Sequence, residues 1–283
     1  MADSRAPQQG CRQAGRQPQD IPRFDAYIFD LDGTLYLDEQ PIPGAPETVA
    51  RLRAEGARVA FVTNNPLAAP AAYARRLTEI GIPASADEVT TSVEALVDYL
   101  DATRPGCRVL AVAEHVVIER LGAAGYGVTK DPAGADVVVV SFDRGFDYAK
   151  LHAAYRAVRE HGAAIVATNP DPYCPTADGG LPDCAAMLAA IEACTGVAAE
   201  AIVGKPSRQM VRTVLRRVDV DPSRAAVVGD RLMTDVAMGQ AAGAAGVLVL
   251  SGATSAADLE GDPVTPDYVI ESVRDLLGPD VLG

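Results

Sequence analysis

The stretch Phe29-Asp30-Leu31-Asp32-Gly33-Thr34-Leu35-Tyr36 places two carboxylates two residues apart, where the apolar run Ala26-Tyr27-Ile28-Phe29 ends in a glycine turn. Four consecutive apolar residues closed by a turn signal read as a buried strand. A strand's period of two predicts that Asp30 and Asp32 face one side and Leu31 the other. A D-x-D pair at a strand end is also a common turn or helix cap, so the rest of the chain has to decide what it is for.

Outward from that strand, short apolar runs alternate with amphipathic stretches. Strands are predicted at Ala26 to Phe29 and Arg58 to Val62, and helices at Pro46 to Ala54 and Ala71 to Ile80. Gly81 stands where a helix end favours a residue free to take positive φ. Thr91-Ser92-Val93-Glu94 has the form of a capping box opening a helix through Leu100. A second series follows, with strands near Arg108 to Val112, Val137 to Ser141 and Ala164 to Ala167. Its helices are predicted at Glu114 to Ala124, Tyr148 to Glu160 and Asp183 to Cys194. The first pattern then resumes with strands Ala225 to Val228 and Val247 to Leu250 beside helices Ser207 to Val218 and Met233 to Ala242. The class is α/β, with one domain inserted in another. Asn169 to Pro182, rich in Pro and Gly, reads as one long loop.

At 283 residues with nearly half of them apolar, the chain can bury a sizeable core. No apolar run approaches the ~20 residues of a membrane span, so no membrane partner is expected. The net charge of −13 disfavours a nucleic-acid partner, which would be held through clustered Lys and Arg. A small phosphorylated substrate remains compatible, because a cation and a few local donors can overcome the overall repulsion. Cys11, Cys107, Cys174, Cys184 and Cys194 are odd in number and lack a C-x-x-C pair, which predicts thiols in a reducing, cytoplasmic compartment. No histidine keeps zinc-like spacing with the last three, and His115, His152 and His161 receive no role. Residues 1–22, rich in Gln, Arg, Pro and Gly without the apolar segment of a secretory signal, read as a disordered tail. A homo-oligomer is neither predicted nor excluded.

In open parallel sheets, ligands collect beyond the carboxyl ends of the strands. Four polar clusters fall there: Asp30/Asp32, Thr63-Asn64-Asn65, Gly204-Lys205-Pro206-Ser207, and Gly229-Asp230-Arg231-Leu232-Met233-Thr234-Asp235. Aspartates converging at one sheet edge repel one another unless a cation lies between them, and oxygen-only ligands select Mg²⁺. Asp30 and Asp230 are the candidate side-chain ligands, with the backbone carbonyl of Asp32. Asp235 is expected to hold a metal-bound water. An ionised Asp30 needs no base to act as a nucleophile. It needs the charge of its target masked, a task for Lys205, Thr63, Asn64 and the cation. Asp32 is placed to give a proton to the leaving oxygen and later to activate water. Lys205 is conspicuous in a chain whose only other lysines are Lys130 and Lys150 among many arginines.

With these four clusters in this order, the chain resembles the haloacid dehalogenase superfamily of phosphatases. Gly-Asp-Arg-Leu-x-Thr-Asp from Gly229, the Leu-Val-Leu-Ser-Gly run ending at Gly252, and Pro266-Asp267-Tyr268-Val269-Ile270 resemble one branch in particular. That branch, which is NagD-like, holds p-nitrophenyl-, phosphoglycolate, pyridoxal phosphate and sugar or nucleotide phosphatases. The resemblance implies a Rossmann-like parallel-sheet core over 23–103 and 200–283, and a smaller type IIA α/β cap inserted over 104–199. It also implies that Thr168-Asn169-Pro170-Asp171 lies over the active site. One departure stands out: after Pro182 the family usually carries a glycine-rich turn, whereas this chain has Asp183-Cys184-Ala185. Asp183 also reads as a simple helix N-cap.

The function these residues predict is Mg²⁺-dependent hydrolysis of a small phosphomonoester through an aspartyl-phosphate. A phosphotransferase or mutase would use the same intermediate with a different acceptor. A non-catalytic phospholigand-binding protein would be expected to have lost the nucleophile or the acid, and both aspartates are present.

Overall fold

Parallel strands dominate because the chain alternates strand and crossover helix. The computed structural model describes residues 21–37, 40–174 and 180–278. Six parallel strands form the larger sheet, in the spatial order Tyr268–Ile270, Ala245–Val249, Ala225–Gly229, Ala26–Asp30, Arg58–Thr63, Val89–Thr91. Five parallel strands form the second sheet: Ala201–Ile202, Ala164–Ala167, Val137–Val140, Arg108–Val112, Gly127–Thr129. No helix among the described residues is long and apolar enough to cross a membrane.

Alternation along the strands divides the apolar side chains between two faces. On one face of the larger sheet Tyr27, Phe29, Phe61, Val228 and Val247 pack with residues of helices Ala45–Ala54 and Pro70–Glu79. On the other, Ile28, Val62 and Val227 belong to a cluster with helices Ser92–Thr103, Arg208–Val218 and Ala237–Ala242. That cluster continues through Val93, Leu96 and Leu100 to Val109, Val137, Val139 and Val166 of the second sheet. The helix opened by the Thr91 capping box, whose Thr91–Glu94 bonds form as anticipated, therefore lies between the sheets and is packed by both. The far face of the second sheet packs Val138, Val140 and Ile165 against helices Tyr148–His161 and Cys184–Thr195.

The structure departs from several expectations. The second sheet takes in Ala201–Ile202, just past the cap end expected at residue 199, through its pairing with Ala164–Ala167. A two-residue edge strand carries no periodicity to read, and the three-residue strands Val89–Thr91 and Gly127–Thr129 escape for the same reason. The helix expected from Met233 begins as a π-helical turn over Leu232–Val236 and becomes α-helical only at Ala237–Ala242. The expected loop from Asn169 to Pro182 contains an antiparallel pairing of Tyr173–Cys174 with Leu181–Pro182. The tail expected over 1–22 lies outside the described residues up to position 20. Finally, the first strand ends at Asp30, and Asp32 belongs to a turn: Gly33 takes φ 80° and donates its N–H to Tyr36 O at 2.8 Å. Gly33, rather than strand alternation, sets where Asp32 lies.

Candidate active site

The carboxyl ends of Ala26–Asp30, Arg58–Thr63 and Ala225–Gly229 lie side by side because the three strands are parallel neighbours. Asp30, Asp32, Thr63, Asn64, Lys205 and Asp230 consequently line one cavity of about 440 Å³, which Phe142, Asp171, Tyr173, Cys174 and Asp183 also line. Asp235, fully buried, stands behind the wall. All seven residues chosen from the sequence are thus gathered at one place.

Lys205 organises the buried charges. Its Nζ lies 2.5 Å from Asp30 Oδ1 and 2.8 Å from Asp235 Oδ1, and all three residues are buried. Burial alone would pull the ammonium's pKa down, but Asp235 and Asp30 outweigh it and hold Lys205 protonated, above its ordinary value. Burial pushes the Asp30 carboxyl well up; Lys205 opposes this, while Asp235 and Asp230 add to it. Asp230 is raised by burial and by Asp235. One ammonium thus stands against three carboxylates.

The carboxylate oxygens of Asp30, Asp230 and Asp235 come within 4.8 Å of one another. Asp230 Oδ2 accepts the Ala253 N–H at 2.6 Å, whereas Asp230 Oδ1 is buried without a hydrogen-bond partner. An orphaned carboxylate oxygen in an all-oxygen, net-negative cluster suits a hard divalent cation. Asp235 Oδ2 accepts the Arg231 N–H at 3.1 Å, so the turn that carries Asp230 also fixes Asp235.

Glycine makes this closeness sterically feasible. A Cβ on Gly252 would overlap the Asp230 carboxylate, and one on Gly204 would overlap Thr168 O and Asn64 Oδ1. Gly252→Ala is expected to displace Asp230, costing about 1–3 kcal/mol of stability and weakening the response to divalent cation. Denaturant melts with and without the ion, compared with wild type, measure both.

Thr63 Oγ1 accepts the Asn65 N–H at 3.1 Å, which leaves the hydroxyl proton available to a ligand. Asn64 lines the cavity, and its side-chain amide is bonded within the protein. Its Oδ1 accepts Lys205 N–H at 2.7 Å, and its Nδ2 donates to Lys205 O at 3.1 Å and Asp171 Oδ2 at 2.9 Å. Ser92 Oγ in turn donates to Asn64 O at 2.7 Å. The side chain of Asn64 thus positions Lys205 and ties the cap loop to the core. The Lys205–Pro206 peptide in this loop is cis.

Asp183 does cap the helix Cys184–Thr195, with Oδ1 accepting Cys184 N–H at 2.6 Å, and it also lines the cavity. Burial, reinforced by Asp171, raises its carboxyl from the ordinary 3.8 to about 6. Between those values the folded state binds more protons than the unfolded chain. Stability from this group is therefore complete below pH 3.8 and declines as pH rises toward 6. Asp183→Asn is expected to flatten that decline, read from denaturant melts at pH 4, 5, 6 and 7.

Several contributors carried little or no sequence signal. Ala253 acts only through its backbone N–H, and Phe142, Tyr173 and Cys174 reach the cavity from cap positions no motif marks. The Ser251-Gly252-Ala253 turn does follow an apolar strand, and its position there was the available clue.

A buried aspartate paired with a lysine at the carboxyl edge of a parallel sheet, beside an acidic cation cluster and beneath a second α/β layer, defines a capped hydrolase. Residues 27–127 match a haloacid dehalogenase-like hydrolase family model, and residues 202–276 match a HAD-hydrolase-like model. Human glycerol-3-phosphate phosphatase is 33% identical over 89% of this chain and 90% of its own. The structure of a 4-nitrophenylphosphatase from Thermotoga maritima superposes with a TM-score of 0.85 at 34% identity, covering 92% of this chain and 98% of that one. A glycerol phosphate phosphatase from Mycobacterium tuberculosis, solved in complex with magnesium, superposes at 0.81 with 34% identity over 89% of this chain and 77% of that one. The chain belongs to the haloacid dehalogenase-like hydrolase family, in its type IIA capped branch, and is a phosphatase of that family.

Proposed function

We propose that this phosphatase is Mg²⁺-dependent and hydrolyses a small phosphomonoester through an aspartyl-phosphate on Asp30. The observation that carries the reading is the buried Asp30 carboxylate at the base of the cavity, paired with Lys205 and clustered with Asp230. Asp30, Asp230 and the backbone carbonyl of Asp32 would hold the ion, with Asp235 holding an ion-bound water. Bound there, Mg²⁺ supplies positive charge that offsets the phosphoryl oxygens and lowers the repulsion facing an anionic nucleophile.

In the first step an Asp30 oxygen attacks phosphorus and the ester P–O bond breaks. The leaving oxygen takes a proton from Asp32, which the Gly33 turn sets exposed at the cavity wall. Lys205 and the Thr63 hydroxyl stabilise the charge gathering on the non-bridging oxygens. In the second step Asp32, now ionised, takes a proton from water as that water attacks phosphorus, releasing inorganic phosphate and restoring Asp30. The substrates named for the relatives, glycerol 3-phosphate and 4-nitrophenyl phosphate, support a compact phosphate ester. A reducing, cytoplasmic location fits the four described cysteines, all free thiols.

Release of inorganic phosphate from p-nitrophenyl phosphate is expected to require Mg²⁺, to stop with EDTA and to return when Mg²⁺ is restored. Undiminished release in EDTA would remove the metal from the mechanism. Transfer of the phosphoryl group to an added sugar in preference to water would make the protein a phosphotransferase.

A further inference from the structure

The cap residues that line the cavity include acids and, among the described residues, no base. Its cap wall is built from Phe142, Asp171, Tyr173, Cys174 and Asp183. From Gly162 to Gly204 the sequence contains no Lys, Arg or His, so this stretch of the cap has no cation to offer. Asp171 is positioned by Asn64 Nδ2 at 2.9 Å and by its own N–H donated to Asn169 Oδ1 at 2.9 Å. Asp183 is buried and fixed by the Cys184 N–H. Asp171 helps to raise the Asp183 carboxyl, which places the two acids within each other's field.

The Cys174 thiol, which lines the same cavity, senses the same field. Burial, Asp183, Asp32 and Asp171 push its pKa up, and Arg231 opposes them. Arg231 enters from the core side, next to Asp230, whose carboxyl it lowers. Lys205 is committed to Asp30 and Asp235. A second anionic group on a substrate, once past the phosphoryl site, would meet two carboxylates in a partly desolvated wall. Such like-charge contacts are a strong means of rejecting a ligand.

We infer that Asp171 and Asp183 act as a specificity filter, admitting phosphate esters of uncharged, hydroxyl-bearing leaving groups and excluding those carrying a carboxylate or a second phosphate. Hydroxyls suit this wall because carboxylates accept their protons, while the half-exposed Tyr173 phenol both donates and accepts. Phe142 offers an apolar surface to a short carbon skeleton. Asp183 stands where the family resemblance leads one to expect glycine, so that half of the filter is particular to this chain. The inference rests on the phosphatase reading and deepens it.

The experiment measures kcat/KM with Mg²⁺ for glycerol 3-phosphate, 2-phosphoglycolate, phosphoethanolamine and p-nitrophenyl phosphate. It compares the wild-type chain with Asp183→Asn and Asp171→Asn. Asn caps helices as well as Asp, so the first variant keeps its helix start, and the second tests the filter independently. Wild type is expected to favour glycerol 3-phosphate over 2-phosphoglycolate by at least about tenfold, and each variant to shrink that ratio by about fivefold, mainly through KM for 2-phosphoglycolate. A parallel loss on both substrates with an unmoved ratio would overturn the filter and leave the two acids a structural role. Wild-type preference for 2-phosphoglycolate would overturn it as well. Preference for phosphoethanolamine would overturn the uncharged class in favour of a cationic one. Failure on every substrate including p-nitrophenyl phosphate would instead overturn the phosphatase reading, and the filter with it.

Discussion

Asp30→Asn is expected to cut phosphate release by ~10⁴-fold or more while the protein stays folded. The carboxylate is the group proposed to attack phosphorus, and an amide of the same size cannot replace its nucleophilicity. The fold is expected to survive because the change is nearly isosteric. An amide oxygen can still accept from Lys205, and Asp235 remains as the lysine's charged partner at 2.8 Å. Burial already pushes the Asp30 carboxyl well above its ordinary range, so neutralising it removes a group that is costly to ionise there. Phosphate release and thermal melts of the same preparation test both halves. Near-normal hydrolysis by this variant would sink the aspartyl-phosphate.

Lys205→Met is expected to lose activity and about 3–5 kcal/mol of stability in the absence of divalent cation, because it strands buried carboxylates without their counter-charge. Asp30 and Asp235 both contact the ammonium, and burial leaves little water to replace it. Saturating Mg²⁺ is expected to recover part of the loss. The double variant Asp30→Asn/Lys205→Met is expected to be more stable than the sum of the two single losses, since removing one carboxylate relieves the site that the missing ammonium exposes. Urea denaturation of the four proteins in EDTA measures the coupling. A coupling energy near zero would show that Lys205 does not act on Asp30 as the geometry indicates.

Chemistry was legible wherever it resides in side chains that punctuate apolar strands. Asp30, Thr63 and Asp230 each follow a run whose burial could be read from composition, and parallel order brings those run ends to one edge. Lys205 was legible as a lone lysine in an arginine-rich chain, although the strand before it belongs to the second sheet rather than the first. Asn64 was legible as a residue of the cavity, but a sequence does not show that its side-chain amide bonds Lys205 and Asp171. Short strands stayed hidden, since two or three residues hold too little pattern to separate from a loop. Backbone contributions such as the Ala253 N–H stayed hidden because every residue has one.

By itself the sequence determined which polar residues end the core strands and the α/β plan that carries them, because apolar periodicity and turn residues are local properties that survive in one dimension. Tertiary structure alone decided how the charges balance: which carboxylates share Lys205, that Asp230 Oδ1 is left without a partner, and that Asp171 and Asp183 line the same cavity. Those are through-space relations between residues far apart in the chain. Their strength depends on distance and on exclusion of water, neither of which a string of residues contains.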